Sequence, residues 1–308
     1  MRSRNGFLAE FRKNGSYYAM AVPGLLILFA FAYLPYPGMI IAFKNFNPLK
    51  GIYGSDWSGF DNFKFFLDNG DFLRITFNTL WINFNYILWG TLLAITFALM
   101  LNEIKNAKMK KFFQSVMFLP YFFSFVIVGK LILLLFKNEH GLVNELIQSF
   151  NGEPVQWYIE AEHWVKIIVS TNIWKNVGYS VIIYLAVIAG VDEEMLEAAS
   201  LDGASRMQKI RYILFPNLVP TLIILTLLSI GRIFFGDFAL IYAIVENNGM
   251  LYPTTDVIDT YIYRSLINGG QEYGMITAVG LCQSIVGFIV VIGSNWAVKR
   301  YDKDYSLF

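Results

Sequence analysis

An all-α, polytopic membrane fold with six transmembrane helices is what this sequence predicts, and three observations predict it. Apolar residues make up 56% of the 308-residue chain and charged residues only 15%, against about a quarter charged in an ordinary soluble domain. The mean hydropathy is positive. Six stretches reach the ~20 apolar residues that a helix needs to cross the hydrocarbon core: 17–43, 79–101, 112–136, 165–190, 218–245 and 275–298.

The first stretch is too long for a cleavable signal peptide, Pro35 and Pro37 interrupt its outer part, and no small-residue cleavage site follows it. It reads as an anchor. Between the spans, the basic residues fall on one side only. Arg2, Arg4, Arg12 and Lys13 precede the first span, Lys105, Lys108, Lys110 and Lys111 fill the loop after the second, Arg206, Lys209 and Arg211 follow the fourth, and Lys299, Arg300 and Lys303 follow the sixth. The positive-inside rule makes that side cytoplasmic and puts both termini there. The opposite loops, 45–78, 137–164 and 246–274, are longer, rich in Asp, Glu, Asn and aromatics, and are expected to form short external helices or a cap. The formal net charge of +1 gives no support to a polyanion-binding role such as nucleic-acid binding, so any charge argument must come from distribution, and the lone Cys282 excludes an intrachain disulfide or a cysteine metal cluster.

One cytoplasmic loop departs from the apolar pattern. From Asp192 to Leu201 most residues favour helix, with Leu196, Ala199 and Ser200 able to share a face and Glu193, Glu194 and Glu197 on others. Asp202-Gly203 breaks this helix, Gly203 suiting a left-handed C-cap. Ser205 and Gln208 have capping-box spacing for a second helix, which Pro216 is expected to close before the fifth span. A polar helix-turn-helix held at the inner face of an apolar bundle can take force from a soluble partner.

Glu197-Ala198-Ala199, Gly203 after three residues, Ile213 after nine more and Pro216 three beyond resemble the EAA loop of ABC importer permeases of the type I fold. Phe215 stands where the family pattern has Leu, which keeps an apolar residue. Tyr33-Leu34-Pro35 with Ala42 to Pro48, Thr255 to Tyr261, Gln283-Ser284 and the terminal Leu307-Phe308 are similar to the carbohydrate-uptake branch and its oligo- and polysaccharide permeases. The resemblance implies a division of labour. Two ATP-binding subunits carry ATP and Mg, a groove on one of them receives the loop, and Glu197, Ala198, Ala199, Asp202, Gly203 and Pro216 form the coupling element, Glu197 pairing with a basic residue of that partner. A second homologous permease completes a heterodimer, an extracellular solute-binding lipoprotein delivers an oligosaccharide, and the location is the bacterial cytoplasmic membrane. The sequence agrees in one respect: it has no phosphate-cradling Gly-rich loop ending in Gly-Lys-Ser or Gly-Lys-Thr, so no cofactor is expected on this chain itself.

Transport needs polar groups inside the membrane. Lys130, Lys175, Arg232 and Asp237 fall within expected spans, where ionisable groups usually face a cavity or a partner. Arg232 and Asp237, five apart on one expected helix, point in different directions. Phe122, Phe123, Asn172, Trp174, Asn176, Tyr179 and Tyr242 supply the aromatic faces and amides that sugar recognition uses, although aromatics are 17% of the chain and lipid-facing positions also take them. An acidic oligosaccharide would give Lys130, Lys175 or Arg232 a counter-ion. His140 and His163 lack paired metal-ligand spacing, and no Gly-x-Ser-x-Gly elbow is present. The expected organisation is a cytoplasmic segment 1–16, an anchor helix 17–43, an external segment 44–74, a transport core 75–298 containing the loop 191–217, and a cytoplasmic tail 299–308. A permease for another solute, and a membrane scaffold or enzyme, remain the alternatives at this level.

Overall fold

The computed structural model describes residues 13–68, 70–267 and 273–302; Arg2, Arg4, Arg12, Lys303 and Leu307-Phe308 lie outside them. The chain divides into two compact units, 1–66 with 271–281, and 67–270 with 282–308.

The first unit begins with α1 (Gly15–Leu28), which runs on through a π turn, Phe29–Tyr33, and a 3-10 stretch, Tyr36–Phe43. Pro35 and Pro37 explain the change of winding, since a proline ring cannot sit in regular α-helix without loss of a hydrogen bond. Together these turns make one membrane-length helix of 29 residues. Its side chains are almost all exposed, as a lipid-facing anchor requires. Beyond it, β1 (Lys44–Asn45) pairs antiparallel with β2 (Asp56–Trp57) around α2 (Gly51–Gly54), and α3 (Asp61–Asp68) follows. The Lys44 ammonium donates to the carbonyls of Tyr53 and Ser55, and the Asn62 amide to those of Ala42 and Lys44.

The second unit is a helical bundle. Its elements are α4 (Phe72–Asn102), α5 (Ala107–Phe118), α6 (Phe125–Phe136), α7 (Leu142–Ser149), α8 (Trp164–Ala189), α9 (Glu193–Leu201), α10 (Arg206–Lys209), α11 (Phe215–Ile230), α12 (Phe238–Val245), α13 (Tyr252–Thr255) and α14 (Ile258–Ile267). α15 (Tyr273–Tyr301) ends the described chain. Among the described residues five helices are long and apolar enough to cross a membrane, or six with the bent pair α5–α6 as one span.

Two expected spans are not single helices. The 112–136 stretch bends by 98° between Phe122 and Phe125, because Leu119–Phe122 is a 3-10 turn containing Pro120 and Ser124 starts a new helix by capping Ile127. The 218–245 stretch ends as helix at Ile230; residues 231–237 are turns, and α12 begins afterwards. Gly231 and Gly236 bracket this break. Hydropathy could not show it, since Ile233, Phe234 and Phe235 are as apolar in a turn as in a helix.

Two apolar clusters stack within the bundle. Ile82, Val128, Ile132, Trp164, Ile168, Leu240 and Ile244 form one. Ala94, Ala98, Val181, Tyr184, Ile188, Leu214 and Leu218 form the other, toward the α9–α10 hairpin. Close approach is built in by glycine at two crossings. A Cβ on Gly178 would lie 2.1 Å from the Met117 carbonyl oxygen, and one on Gly129 2.0 Å from that of Ala243.

Candidate functional site

The hairpin forms as its residues dictate. Asp192 caps α9 by accepting from the Glu194 N–H, and Gly203 takes φ +78° at the turn, where the Ala204 N–H donates to the Ala199 carbonyl. Ser205 and Gln208 make a reciprocal capping box at the start of α10. Lys209 donates to the Ser200 hydroxyl across the turn, tying the two arms together. Glu197, Ala198 and Asp202 are exposed and Ala199 is half-buried. Leu201 is 90% exposed at the tip, so the hairpin presents both acid and apolar surface.

Pro216 departs from expectation: it does not close the second arm. A π turn, Ile210–Leu214, immediately precedes it, and helical structure continues from Arg206 to Ile230. The wider π turn relieves the clash and missing N–H that proline brings to a helix interior. The consequence is mechanical. One helical rod of 25 residues, about 37 Å at 1.5 Å per residue, joins the hairpin to the 231–237 break.

At that break lies a cavity of about 790 Å³, a size suited to a small organic ligand. Asn83, Tyr86 and Thr91 of α4, Asn172, Asn176, Tyr179 and Ser180 of α8, Ser229 of α11, and Arg232 and Asp237 of the break line it. It sits between the two apolar clusters, near the middle of both α4 and α8. The Asn172 amide donates to the Asp237 carboxylate at 3.1 Å, and the same carboxylate caps α12 through the Leu240 N–H. Because the helix has ended before Arg232, the helical-spacing argument for separating it from Asp237 does not apply; both line the same space.

The other candidates are elsewhere. Lys175 is buried, and its ammonium donates to the carbonyls of Tyr121 (2.8 Å) and Phe123 (2.7 Å), replacing helix hydrogen bonds lost at the α5–α6 bend. Phe122 is exposed on that bend, and Trp174 packs at a tilt on Phe123. Lys130 pairs with Glu246 at 3.4 Å, both side chains about two-thirds exposed; Glu246 itself holds φ +55°. Tyr242 stacks on Phe238 and meets Tyr263 edge-on. In the turns between α7 and α8, burial pushes the Tyr158 hydroxyl up to about 12, with the Glu246 charge adding to it. Glu160 and Glu162, both with exposed side chains, each place a carboxylate oxygen 3.4 Å from Nε2 of the half-buried His163.

Sequence reading passed over Asn83, Tyr86, Ser180 and Ser229. For Asn83 the signal was available, a polar amide inside an apolar span. Tyr86 gave none, being one aromatic among many.

With this geometry described, comparison with known proteins identifies the family. Residues 87–303 match the family model of the binding-protein-dependent transport system inner membrane component. The chain belongs to that family of ABC importer permeases. As a member, it is the transmembrane component and not the enzyme of its transporter. Among its relatives, protein LplB of Bacillus subtilis (strain 168) is 36% identical over 97% of this chain and 93% of its own. The polygalacturonan/rhamnogalacturonan transport system permease protein YteP of the same organism is 34% identical over 93% and 88%. Among solved structures, a bacterial ABC transporter involved in the import of the acidic polysaccharide alginate superposes with a TM-score of 0.87 at 32% identity, covering 95% of this chain and 98% of that one. The all-α permease fold is therefore common to this chain and that importer.

Proposed function

We propose that this permease is the membrane half of an oligosaccharide importer and that the cavity at the 231–237 break is where the sugar crosses. The observation that carries the reading is the cavity itself: amides, hydroxyls, one guanidinium and one carboxylate converge at mid-depth of an otherwise apolar bundle, next to the helical rod that starts at the hairpin. Ring hydroxyls fit Asn172, Asn176 and Asp237, apolar sugar faces fit Tyr179, and a uronate carboxylate fits Arg232, an exposed residue of the cavity lining. The cargo of the relatives above, acidic polysaccharide and polygalacturonan, supports a saccharide bearing carboxylates.

In this reading the partners are a second permease, two ATP-binding subunits at the hairpin and an extracellular solute-binding lipoprotein. A likeness at TM-score 0.87 to the alginate transporter in complex with an alginate pentasaccharide-bound periplasmic protein supports the last of these. The location is the bacterial cytoplasmic membrane with both termini inside, and the transport core is 75–298. ATP binding by the partners moves the hairpins and turns the cavity outward; hydrolysis returns it, the cargo shifting populations between the two states.

The test is uptake into proteoliposomes of the complete importer, loaded outside with its binding protein and either trigalacturonate or a neutral trisaccharide. Arg232→Gln is expected to lower trigalacturonate uptake by at least about tenfold, the loss of one charge-assisted pair, with the neutral sugar little affected. Equal loss for both sugars rejects the carboxylate role; uptake of neither by the unaltered complex rejects the saccharide reading.

A further inference from the structure

The unwound 231–237 segment poses a problem that its own residues do not solve. Non-helical backbone at membrane depth persists only where every polar group finds a partner. Its N–H groups are partly served from within, Arg232 donating to Ser229, Ile233 to Ile230 and Phe235 to Arg232. The carbonyls of Ile233, Phe234 and Phe235 point elsewhere, and three separate helices meet the remaining needs.

From α4, the Asn83 amide donates to the Ile233 and Phe235 carbonyls, both at 3.0 Å. From α15, the Gln283 amide donates to the Phe234 carbonyl at 2.5 Å and to the Asp259 carboxylate at 3.1 Å. From α14, that same carboxylate oxygen accepts the Gly236 N–H at 2.5 Å. The network is connected, and it leaves no room for a side chain at its centre. A Cβ on Gly236 would lie 2.6 Å from a Val257 methyl and 3.1 Å from the Asp259 carboxylate.

We propose that Asn83, Asp259 and Gln283 are positioning residues, a three-point clamp that fixes the unwound segment so that Arg232 and Asp237 face the cargo and the motion of the 206–230 rod is delivered to the cavity. The proposal rests on the transport reading above. Upstream of the clamp the rod is continuous with the hairpin, and downstream Asp237 caps α12. A clamp on the carbonyls therefore sits where the rod from the hairpin meets the polar lining. With the clamp loosened, the hairpin still docks and ATP is still hydrolysed, but the stroke is spent in a slack joint.

The test uses the complete importer in proteoliposomes, with trigalacturonate as the transported probe and hydrogen exchange on the same complexes. Asp259→Ala, which removes the acceptor of the Gly236 N–H, and Gln283→Met, which removes the amide donor, adds no charge and nearly keeps the shape, are compared with the unaltered chain. Assembly and basal ATP hydrolysis are expected to stay unchanged. Sugar moved per ATP is expected to fall, and exchange across 231–237 to rise, each by at least about fivefold, the scale of one lost hydrogen bond. Unchanged sugar per ATP in both variants overturns the proposal. So does a parallel fall of assembly, basal hydrolysis and uptake, which marks a role in folding alone. If the unaltered importer moves no trigalacturonate, the cargo reading fails, and unchanged exchange in the variants then overturns the clamp independently.

Discussion

The Tyr86 hydroxyl is buried in the cavity wall and has no hydrogen-bond partner among the described residues. An orphaned buried hydroxyl costs stability, so Tyr86→Phe should leave thermal unfolding of the complex unchanged or raise it slightly, the gain being under about 1 kcal/mol. If the hydroxyl serves the cargo, uptake should nevertheless fall. Measuring both separates a site from an accident of packing: a variant with full uptake would remove Tyr86 from the path. Lys175 predicts the opposite division. It is the donor for two carbonyls at the α5–α6 bend and lies outside the cavity lining. Lys175→Met should destabilise the complex by about 1–3 kcal/mol by leaving those groups unpaired, lowering the amount of assembled importer while the uptake per assembled complex stays the same. Two intramembrane lysines thus carry different meanings. Composition flagged both Lys130 and Lys175, but only the positions of their partners distinguish a surface ion pair from a backbone brace.

At the scale of elements, the hairpin was the most legible part of the chain. Its cap, turn and capping box are local interactions among Asp192, Gly203, Ser205 and Gln208, and local chemistry is what a sequence displays. The breaks were illegible for the converse reason. The 231–237 turn is stabilised by Asn83, Asp259 and Gln283, which lie 150, 23 and 49 residues away from the groups they meet. No window over the fifth span contains them. Pro216 misled for a related reason, because the π turn before it lets helix continue where the proline alone signals an end. The cavity was half legible: Asn172, Asn176, Tyr179, Arg232 and Asp237 stood out as polar or aromatic residues in spans and do line one space, whereas Lys130, Lys175, Trp174 and Tyr242 stood out equally and do not. The hairpin reading has its own test. Gly203→Ala places a Cβ at φ +78°, a strain of about 1–2 kcal/mol, although the space around it is open. The variant should reach the membrane in normal amount with cargo-stimulated ATP hydrolysis reduced severalfold, and Gly203→Asn, which tolerates the left-handed region, should recover most of it.

For the whole molecule, the proposed orientation places the hairpin inside and the long loops outside. It rests on the distribution of lysine and arginine, and two exposed leucines allow it to be measured directly. Leu201 projects from the tip of the hairpin and is 90% exposed; Leu49 lies in the turn between β1 and α2 and is 96% exposed. The single native thiol, Cys282, can be removed first by Cys282→Ser. In that background, Leu49→Cys should react with a membrane-impermeant maleimide added to intact spheroplasts, and Leu201→Cys only after the membrane is opened or inverted. The hairpin carries one further expectation. An ATP-binding subunit seated on it should cover the tip, so Leu201→Cys in inverted vesicles should label slowly in the assembled importer and quickly when that subunit is stripped away. Glu197→Ala should weaken this protection, because it removes the carboxylate expected to pair with a basic residue of the partner, while leaving Leu49→Cys labelling untouched. Labelling of Leu201→Cys from the outside would invert the topology and with it the direction in which ATP could drive the cavity.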